Sequence, residues 1–190
     1  MKSLCRQKLR RAFAAVQPHR NGQSNRGGFS LLEMLIVLAI IGILATIVIP
    51  EIQDQSQQAK EAAAKETLQT LRHAIERYAA QHKGVPPGYP NGDMTRIPAT
   101  IIFMQQLCSA TNSDGAYAAP GTAGYPLGPY LSAIPKNPFN DSNTVTIYNN
   151  SASIPTSATG TSGWRYKPLT KTIRLNYAGT DSEGIRYYAY

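Results

Sequence analysis

The feature that most constrains this chain is an apolar segment from Phe29 to Ile49 in which Glu33 is the one charged residue. As an α-helix, its 21 residues would extend about 31 Å at about 1.5 Å per residue, which matches the hydrocarbon core of a bilayer. Fourteen of them are Leu, Ile, Val or Phe, each favouring insertion by about 0.3–0.6 kcal/mol, against roughly 3 kcal/mol for one central charge. The sequence therefore predicts a transmembrane helix.

The charge of the chain is concentrated before this segment. Residues 1–28 contain seven Lys and Arg and no Asp or Glu, whereas residues 29–190 contain 12 basic and 11 acidic residues. Basic residues flank the cytoplasmic end of a membrane helix, so the N-terminus is expected in the cytoplasm and the C-terminal bulk across the membrane. A nucleic-acid-binding protein would carry its positive charge on the folded domain. Nucleic acid is therefore not expected as the main partner.

The apolar segment does not resemble a cleaved secretory signal, and Glu33 needs an explanation of its own. Signal peptides have about 7–15 apolar residues followed by a small-residue cleavage site, but this run is longer and ends in Ile-Pro-Glu at residues 49–51. Glu33 could be a carboxylate that reaches lipid headgroups. Alternatively, a cut after Gly28 would give Phe29 an ammonium group at the same helix end. Buried charges persist mainly when paired, so Glu33 could then fix the register of one subunit against the next.

The sequence Gly-Phe-Ser-Leu-Leu-Glu at residues 28–33, after a basic leader and before the apolar run, resembles the prepilin cleavage and methylation motif. That motif belongs to type IV pilins and to the pseudopilins of type II secretion systems. The resemblance implies that a prepilin peptidase removes residues 1–28 by cutting between Gly28 and Phe29 and N-methylates Phe29. It also implies that Glu33 and Pro50 serve the assembly of a helical filament.

The resemblance and the residue pattern together divide the mature chain into three parts. Residues 29–50 form the transmembrane or filament-core helix, and residues 51–83 continue it as an amphipathic helix with apolar residues at 3- and 4-residue spacing. Pro50 is expected either to kink the helix or to mark the boundary between its halves. Residues 84–190 form an α+β head, so that a long helix packs on a small antiparallel sheet in a pilin-like fold.

Within the head, the pattern predicts a loop, a short helix and several strands. Segment 128–140 is similar to the region that precedes the sheet in major pseudopilins. The predicted ranges are a loop at 84–98, a helix at 98–109, an irregular loop at 110–129, and strands at 145–148, 163–167, 172–177 and 185–190, in a three- or four-stranded antiparallel sheet.

The turn at residues 178–184 contains two carboxylates, Asp181 and Glu183. A similar turn helps to bind calcium in major pseudopilins, so the resemblance implies a calcium site here. Flexible loops with oxygen ligands suit Ca²⁺, but a full site needs six to eight oxygens. Asn137 also replaces an aspartate of the family pattern. A solvated β-turn without metal is the alternative.

The leading interpretation is a structural subunit of a type II secretion pseudopilus that supports protein export. Its implied partners are identical and related pilin-like subunits, the prepilin peptidase, an inner-membrane assembly platform and the membrane. It would cross the inner membrane once, with a periplasmic head, before entering a periplasmic or extracellular filament. A type IV pilus subunit for adhesion, motility or DNA uptake is the runner-up, disfavoured because Cys108 would have no disulfide partner in the mature chain.

Two other classes of protein are weaker alternatives. A signal-anchored binding protein could use aromatic side chains of the head as a sugar-binding face, although strand-packing aromatics are commoner; these are Trp164, Tyr166, Tyr187 and Tyr188. An enzyme is not expected, because the sequence shows no nucleophile–base pair, metal-ligand spacing or phosphate loop.

Overall fold

The computed structural model describes residues 28–190, except for the side chains of residues 47–54. Of the predicted leader, residues 1–28, all but Gly28 lie outside the described residues. The chain divides into two compact units, Met1–Ala45 and Thr46–Tyr190. Among the described residues, no helix combines the length and apolar character needed to cross a membrane. The transmembrane assignment, the boundary at residue 50 and the kink at Pro50, whose side chain is outside the description, stay predictions.

The first helix, α1, extends from Leu31 to Gln81, close to the predicted bounds. Its C-terminal half has a buried stripe that follows the predicted 3- and 4-residue spacing. The five apolar residues of that stripe are all 1 % exposed or less: Ala64, Leu68, Leu71, Ile75 and Tyr78. Because these side chains lie on one face, α1 supplies one wall of the head's core.

α1 ends where the sequence predicts. Lys83 and Gly84 both have a positive φ, of 58° and 84°, and the Gly84 N–H donates to the Ala79 carbonyl at 2.9 Å. This six-to-one hydrogen bond belongs to the Schellman motif, which satisfies a carbonyl left free at the helix end. Glycine at the second of these positions adopts the left-handed conformation without steric cost.

After a loop that contains a 3₁₀ turn at Pro90–Gly92, helix α2 spans Thr100–Cys108, within the predicted range. Residues 110–129, predicted to be irregular, instead contain a two-stranded antiparallel sheet of β1, Ala110–Thr111, and β2, Tyr117–Ala118. The Asn112 side chain accepts the N–H groups of Asp114 and Ala116 at 3.1 and 3.0 Å. This Asx turn reverses the chain and lets the two strands pair.

The main sheet has three strands, β3 (Val145–Ile147), β4 (Trp164–Lys167) and β5 (Thr172–Leu175), in the order β3-β4-β5. β4 and β5 form the predicted antiparallel hairpin, but β3 is parallel to β4. The α+β class is confirmed, and the sheet is mixed rather than purely antiparallel. A parallel pair needs a crossover of about a dozen residues or more, and residues 148–163 supply one.

The predicted fourth strand at residues 185–190 is wrong. This segment forms a 3₁₀ helix at Tyr187–Ala189 that packs against the rest of the head. The hydroxyl of Tyr188 donates to the Pro155 carbonyl at 2.7 Å, and that of Tyr187 donates to Glu61 at 2.9 Å. Aromatic and β-branched composition predicted a strand, but these side-chain anchors fix a different backbone conformation.

The core of the head lies between α1, α2 and the inner face of the main sheet. Trp164 and Tyr166 on β4 are fully buried, and the Phe103 ring on α2 lies 4.6 Å from that of Tyr166. The Trp164 indole N–H donates to the Pro135 carbonyl at 2.8 Å, so its polar atom is satisfied inside the core. These aromatics therefore have a packing role, which argues against the sugar-binding face.

Candidate functional site

The predicted cleavage site lies immediately before α1. Gly28, Phe29 and Ser30 are exposed and precede the first helical residue, Leu31. A Cβ built at Gly28 has no neighbour within 4 Å. The surroundings described here would therefore accept a side chain at residue 28. If glycine is required at residue 28, the requirement comes from a protein that binds this segment rather than from the fold.

Ser30 caps the first turn of α1, the turn that contains Glu33. The Ser30 Oγ accepts the Leu32 N–H at 3.3 Å, and the Ser30 carbonyl accepts the Met34 N–H at 3.1 Å. Ser30 is thus the N-cap, and Glu33 is the third helical residue, so the two residues have the S-x-x-E spacing of a capping box, although only Ser30 makes a capping hydrogen bond among the described residues. A carboxylate there also interacts favourably with the positive end of the helix dipole.

The N-cap role of Ser30 was missed at the sequence level, although the Ser30-x-x-Glu33 spacing was visible. The structure gives the Glu33 carboxylate no hydrogen bond or ion pair within the part of the chain it describes. Phe29 lies two residues before α1 begins, and Glu33 lies in the first turn of α1. Cleavage after Gly28 would place an ammonium group at this end, so the geometry allows both a capping role and a register role.

The N-terminal part of α1 presents apolar side chains to the surroundings. Twelve large apolar residues between 29 and 44 are 42–86 % exposed. Contiguous apolar surface of this kind marks a site that another protein or a membrane covers. The exposed residues are Phe29, Leu31, Leu32, Met34, Leu35, Ile36, Val37, Leu38, Ile40, Ile41, Ile43 and Leu44.

The two predicted calcium ligands in the C-terminal turn have different surroundings. Asp181 is 7 % exposed, and its Oδ1 accepts the N–H groups of Glu183 and Ile185 at 3.0 and 2.8 Å. Its Oδ2 accepts the Tyr190 hydroxyl at 2.6 Å and lies 3.6 Å from the Lys65 ammonium. Both oxygens are thus committed to donors of the protein, and Glu183 is exposed.

These residues do not fit a calcium site. The Lys65 ammonium lies where it repels a cation, and the described residues contain no group of three or more His, Cys, Asp or Glu side chains that could hold a metal. Ca²⁺ would need six to eight oxygens. The calcium expectation stays a prediction, which calorimetric titration with CaCl₂ would decide.

Hydrogen bonds, an ion pair and a cation–π contact connect this turn and the C-terminal segment to α1. The Lys65 ammonium lies 4.8 Å from the centre of the Tyr190 ring, and Arg72 donates to the Tyr190 carbonyl. Glu61, which is 6 % exposed, accepts the Tyr187 hydroxyl. Glu61 and Lys65 are one helical turn apart, which was a visible signal, but their partners are more than a hundred residues away in sequence.

The Asp181 carboxylate should make the head sensitive to acid. The Tyr190 hydroxyl is the main cause that lowers the pKa of Asp181, aided by the Ile185 and Glu183 N–H groups, with burial opposing them. Because the folded pKa lies below the unfolded value of about 3.9, the ionised group stabilises the fold above that pH. The stabilisation is lost as the pH falls through the folded pKa. We expect the Tm of wild type to fall more steeply below about pH 4 than that of Asp181→Asn.

The matched control is Asp141→Asn, since Asp141 is 83 % exposed in its ion pair with Lys136. Its Tm-against-pH curve, measured by circular dichroism, should run parallel to that of wild type. Parallel curves for wild type and Asp181→Asn would contradict the role given to Asp181.

Comparison with known proteins identifies the N-terminal segment and gives relatives of two kinds. Residues 23–49 match the family model described as the Prokaryotic N-terminal methylation motif. Type II secretion system core protein G of Klebsiella pneumoniae is 29 % identical over 59 % of this chain and 68 % of its own length. The protein of the same name from Aeromonas hydrophila is 28 % identical over 61 % of this chain and 69 % of its own.

The second kind of relative is a pilin. The type IV major pilin protein PilE1 of Neisseria gonorrhoeae is 33 % identical over 48 % of this chain and 42 % of its own length. No solved structure gives a significant match. With a methylation motif at the start of α1, an α+β head and relatives of both kinds, the chain resembles type IV pilins and the core protein of type II secretion systems.

Proposed function

We propose that this chain is a structural subunit of a type II secretion pseudopilus that supports protein export. In this proposal a prepilin peptidase cuts between Gly28 and Phe29 and methylates the new Phe29 amine. The subunits then polymerise through the N-terminal part of α1. The relatives named as type II secretion system core protein G support this choice, since they cover about three fifths of the chain.

The observation that carries the proposal is the arrangement at the start of α1. An exposed Gly28–Phe29 bond is followed at once by a capped helix whose large apolar side chains are 42–86 % exposed. An apolar helix of this kind needs a membrane before assembly and other helices after it. The proposed subunit would therefore sit in the inner membrane, with its head in the periplasm, until related subunits replace the lipid around it.

A type IV pilus subunit is the second candidate, and the pilin relatives favour it. Besides PilE1, the type IV narrow pilus major component PilA5 of Thermus thermophilus is 41 % identical over 31 % of this chain. Deleting the gene separates the two functions. If exported proteins accumulate in the periplasm of the deletion strain, the pseudopilus function is supported. If surface fibres disappear while export continues, the type IV pilus function is supported.

The proposed processing is tested by intact mass and N-terminal analysis of the protein from its native membrane. We expect a chain that begins at Phe29 and is heavier by one methyl group. Gly28→Val should block the cut, because the peptidase rather than the fold requires glycine there. A wild-type chain that keeps residues 1–28 would contradict the proposal and favour a signal-anchored protein.

The matched control for this variant is Gly42→Ala. A Cβ at Gly42, like one at Gly28, has no neighbour within 4 Å, so both substitutions leave the described packing intact. Gly42→Ala should be cleaved and methylated like wild type. If both variants fail to be cleaved, the defect lies in insertion or folding rather than in recognition of residue 28.

A further inference from the structure

Two arginines face each other on the outer side of the main sheet. Trp164 and Tyr166 of β4 point into the core, so Arg165 between them points to the opposite face. Arg165 is paired in register with Arg174 of β5. Like charges directly opposite each other on an antiparallel pair are destabilising. The fold therefore places two positive charges where they repel.

The guanidinium of Arg165 is buried without a negative partner. Arg165 is 3 % exposed and donates to the Ser157 carbonyl at 2.6 Å, the Thr159 hydroxyl at 2.9 Å and the Tyr188 hydroxyl at 3.1 Å. These acceptors are all neutral. Its Nε is buried and has no partner among the described residues. Buried charges normally persist only when an opposite charge pairs with them.

Both arginines lie close to the aromatic ring of Tyr188. The guanidinium carbons of Arg165 and Arg174 lie 5.4 and 5.3 Å from its centroid. The negative face of an aromatic ring attracts such cations, but it carries no net charge. None of the four ion pairs formed by the described residues includes Arg165, Arg174 or the nearby Arg186. The positive charge of this cluster is thus uncompensated.

A small cavity adjoins the cluster. Its volume is about 140 Å³, several times the roughly 30 Å³ that a water molecule occupies in the liquid. Tyr188 and Ser157, both partners of Arg165, lie in its wall, together with Arg186. The cavity is therefore large enough for a small ion, is bordered by a third arginine, and has no carboxylate among its described lining residues.

We propose that a small oxyanion binds in this cavity, where Arg186 would contact it and the positive charges of Arg165 and Arg174, which do not line the cavity but lie beside its Tyr188 wall, would attract it. Guanidinium groups bind carboxylate, phosphate and sulfate oxygens with paired, charge-assisted hydrogen bonds. The anion would offset the repulsion between the cross-strand arginines and place a negative charge near the buried guanidinium of Arg165. Two sources share this chemistry: a free inorganic oxyanion, and the carboxylate of a neighbouring copy of this chain.

Thermal unfolding of the full mature chain in neutral detergent tests the site. Sodium phosphate replaces sodium chloride at constant ionic strength while the Tm is recorded. We expect a saturable rise of about 2–4 °C at a few-fold excess over the dissociation constant. Arg186→Gln should lose the saturable part. Arg186 is exposed, so this variant should fold.

The matched control is Arg96→Gln, an exposed arginine outside the cluster that makes the same change in charge. It should keep the saturable rise. A gradual rise without saturation, equal in wild type and Arg186→Gln, would show a general salt effect and overturn the proposal.

Light scattering during the same phosphate titration distinguishes the two sources. If the carboxylate of a neighbouring copy normally occupies the site, phosphate should compete with it. The mass of wild-type oligomers should then fall, whereas the mass of Arg186→Gln oligomers should not change. If phosphate stabilises the chain and the oligomer mass is unchanged, the ligand is the free ion. Either result supports the site, whereas the absence of both effects overturns it.

Discussion

Replacing Glu33 with alanine should lower the incorporation of the chain into filaments by about 100-fold or more, while its insertion into the membrane is unchanged. Breaking a buried ion pair by removing one partner costs about 3–5 kcal/mol, and each 1.4 kcal/mol is a factor of ten in an association constant. In the assembled state the Phe29 ammonium would be left without its partner. Quantitative immunoblotting of sheared filaments and of the membrane fraction measures both effects.

Glu33→Gln separates the register role from a helix-capping role, which the spacing of Glu33 from Ser30 would allow. Glutamine can serve the capping box as glutamate does, but it cannot neutralise an ammonium group. We expect Glu33→Gln to fail in assembly as Glu33→Ala does. If it assembles like wild type, Glu33 acts as a helix cap and the register hypothesis is wrong. Glu183→Ala, which removes an exposed carboxylate from the C-terminal turn, should assemble normally.

Replacing Trp164 with alanine should have the largest effect on the stability of the head. The side chain is fully buried, so its removal leaves a cavity that costs about 3–5 kcal/mol, and the Pro135 carbonyl loses its donor. Since 1 kcal/mol shifts the Tm of a domain of this size by about 2–4 °C, we expect a loss of about 6–20 °C. Circular dichroism of the full chain measures it.

Two further variants locate the cause of that loss. Trp164→Phe keeps much of the buried volume and removes the indole donor, so its Tm should lie between those of wild type and Trp164→Ala. Ile97→Ala removes a side chain that is 76 % exposed and should change stability by less than about 0.5 kcal/mol. If Trp164→Ala unfolds at the same temperature as Ile97→Ala, the core described here is not what stabilises the head.

Local features of the sequence were enough to predict several parts of the structure. The buried stripe of α1, from Ala64 to Tyr78, follows from helical periodicity because residues three and four apart lie on one face. The end of α1 at Lys83-Gly84 and the β4–β5 hairpin at residues 168–171 follow from backbone preferences of a few neighbouring residues. In each case the determining residues are close together in the chain.

Other features depend on contacts that no local pattern contains. The parallel pairing of β3 with β4, the 3₁₀ conformation of Tyr187–Ala189 and the burial of Asp181 each require partners from distant segments. From the sequence, Asp181 was expected to be either a calcium ligand or part of a solvated turn. In the structure, the Tyr190 hydroxyl and the Lys65 ammonium contact its Oδ2, and two backbone N–H groups donate to its Oδ1.

The same distinction applies to the arginine cluster. Arg165 and Arg174 are ordinary strand residues in sequence, and only the strand register and the Tyr188 ring bring them together. The sequence by itself determined the processing motif and the helix that follows it, because both are read from consecutive residues. The tertiary structure decided which charged side chains are buried and what they contact, because burial depends on segments that meet only when the chain is folded.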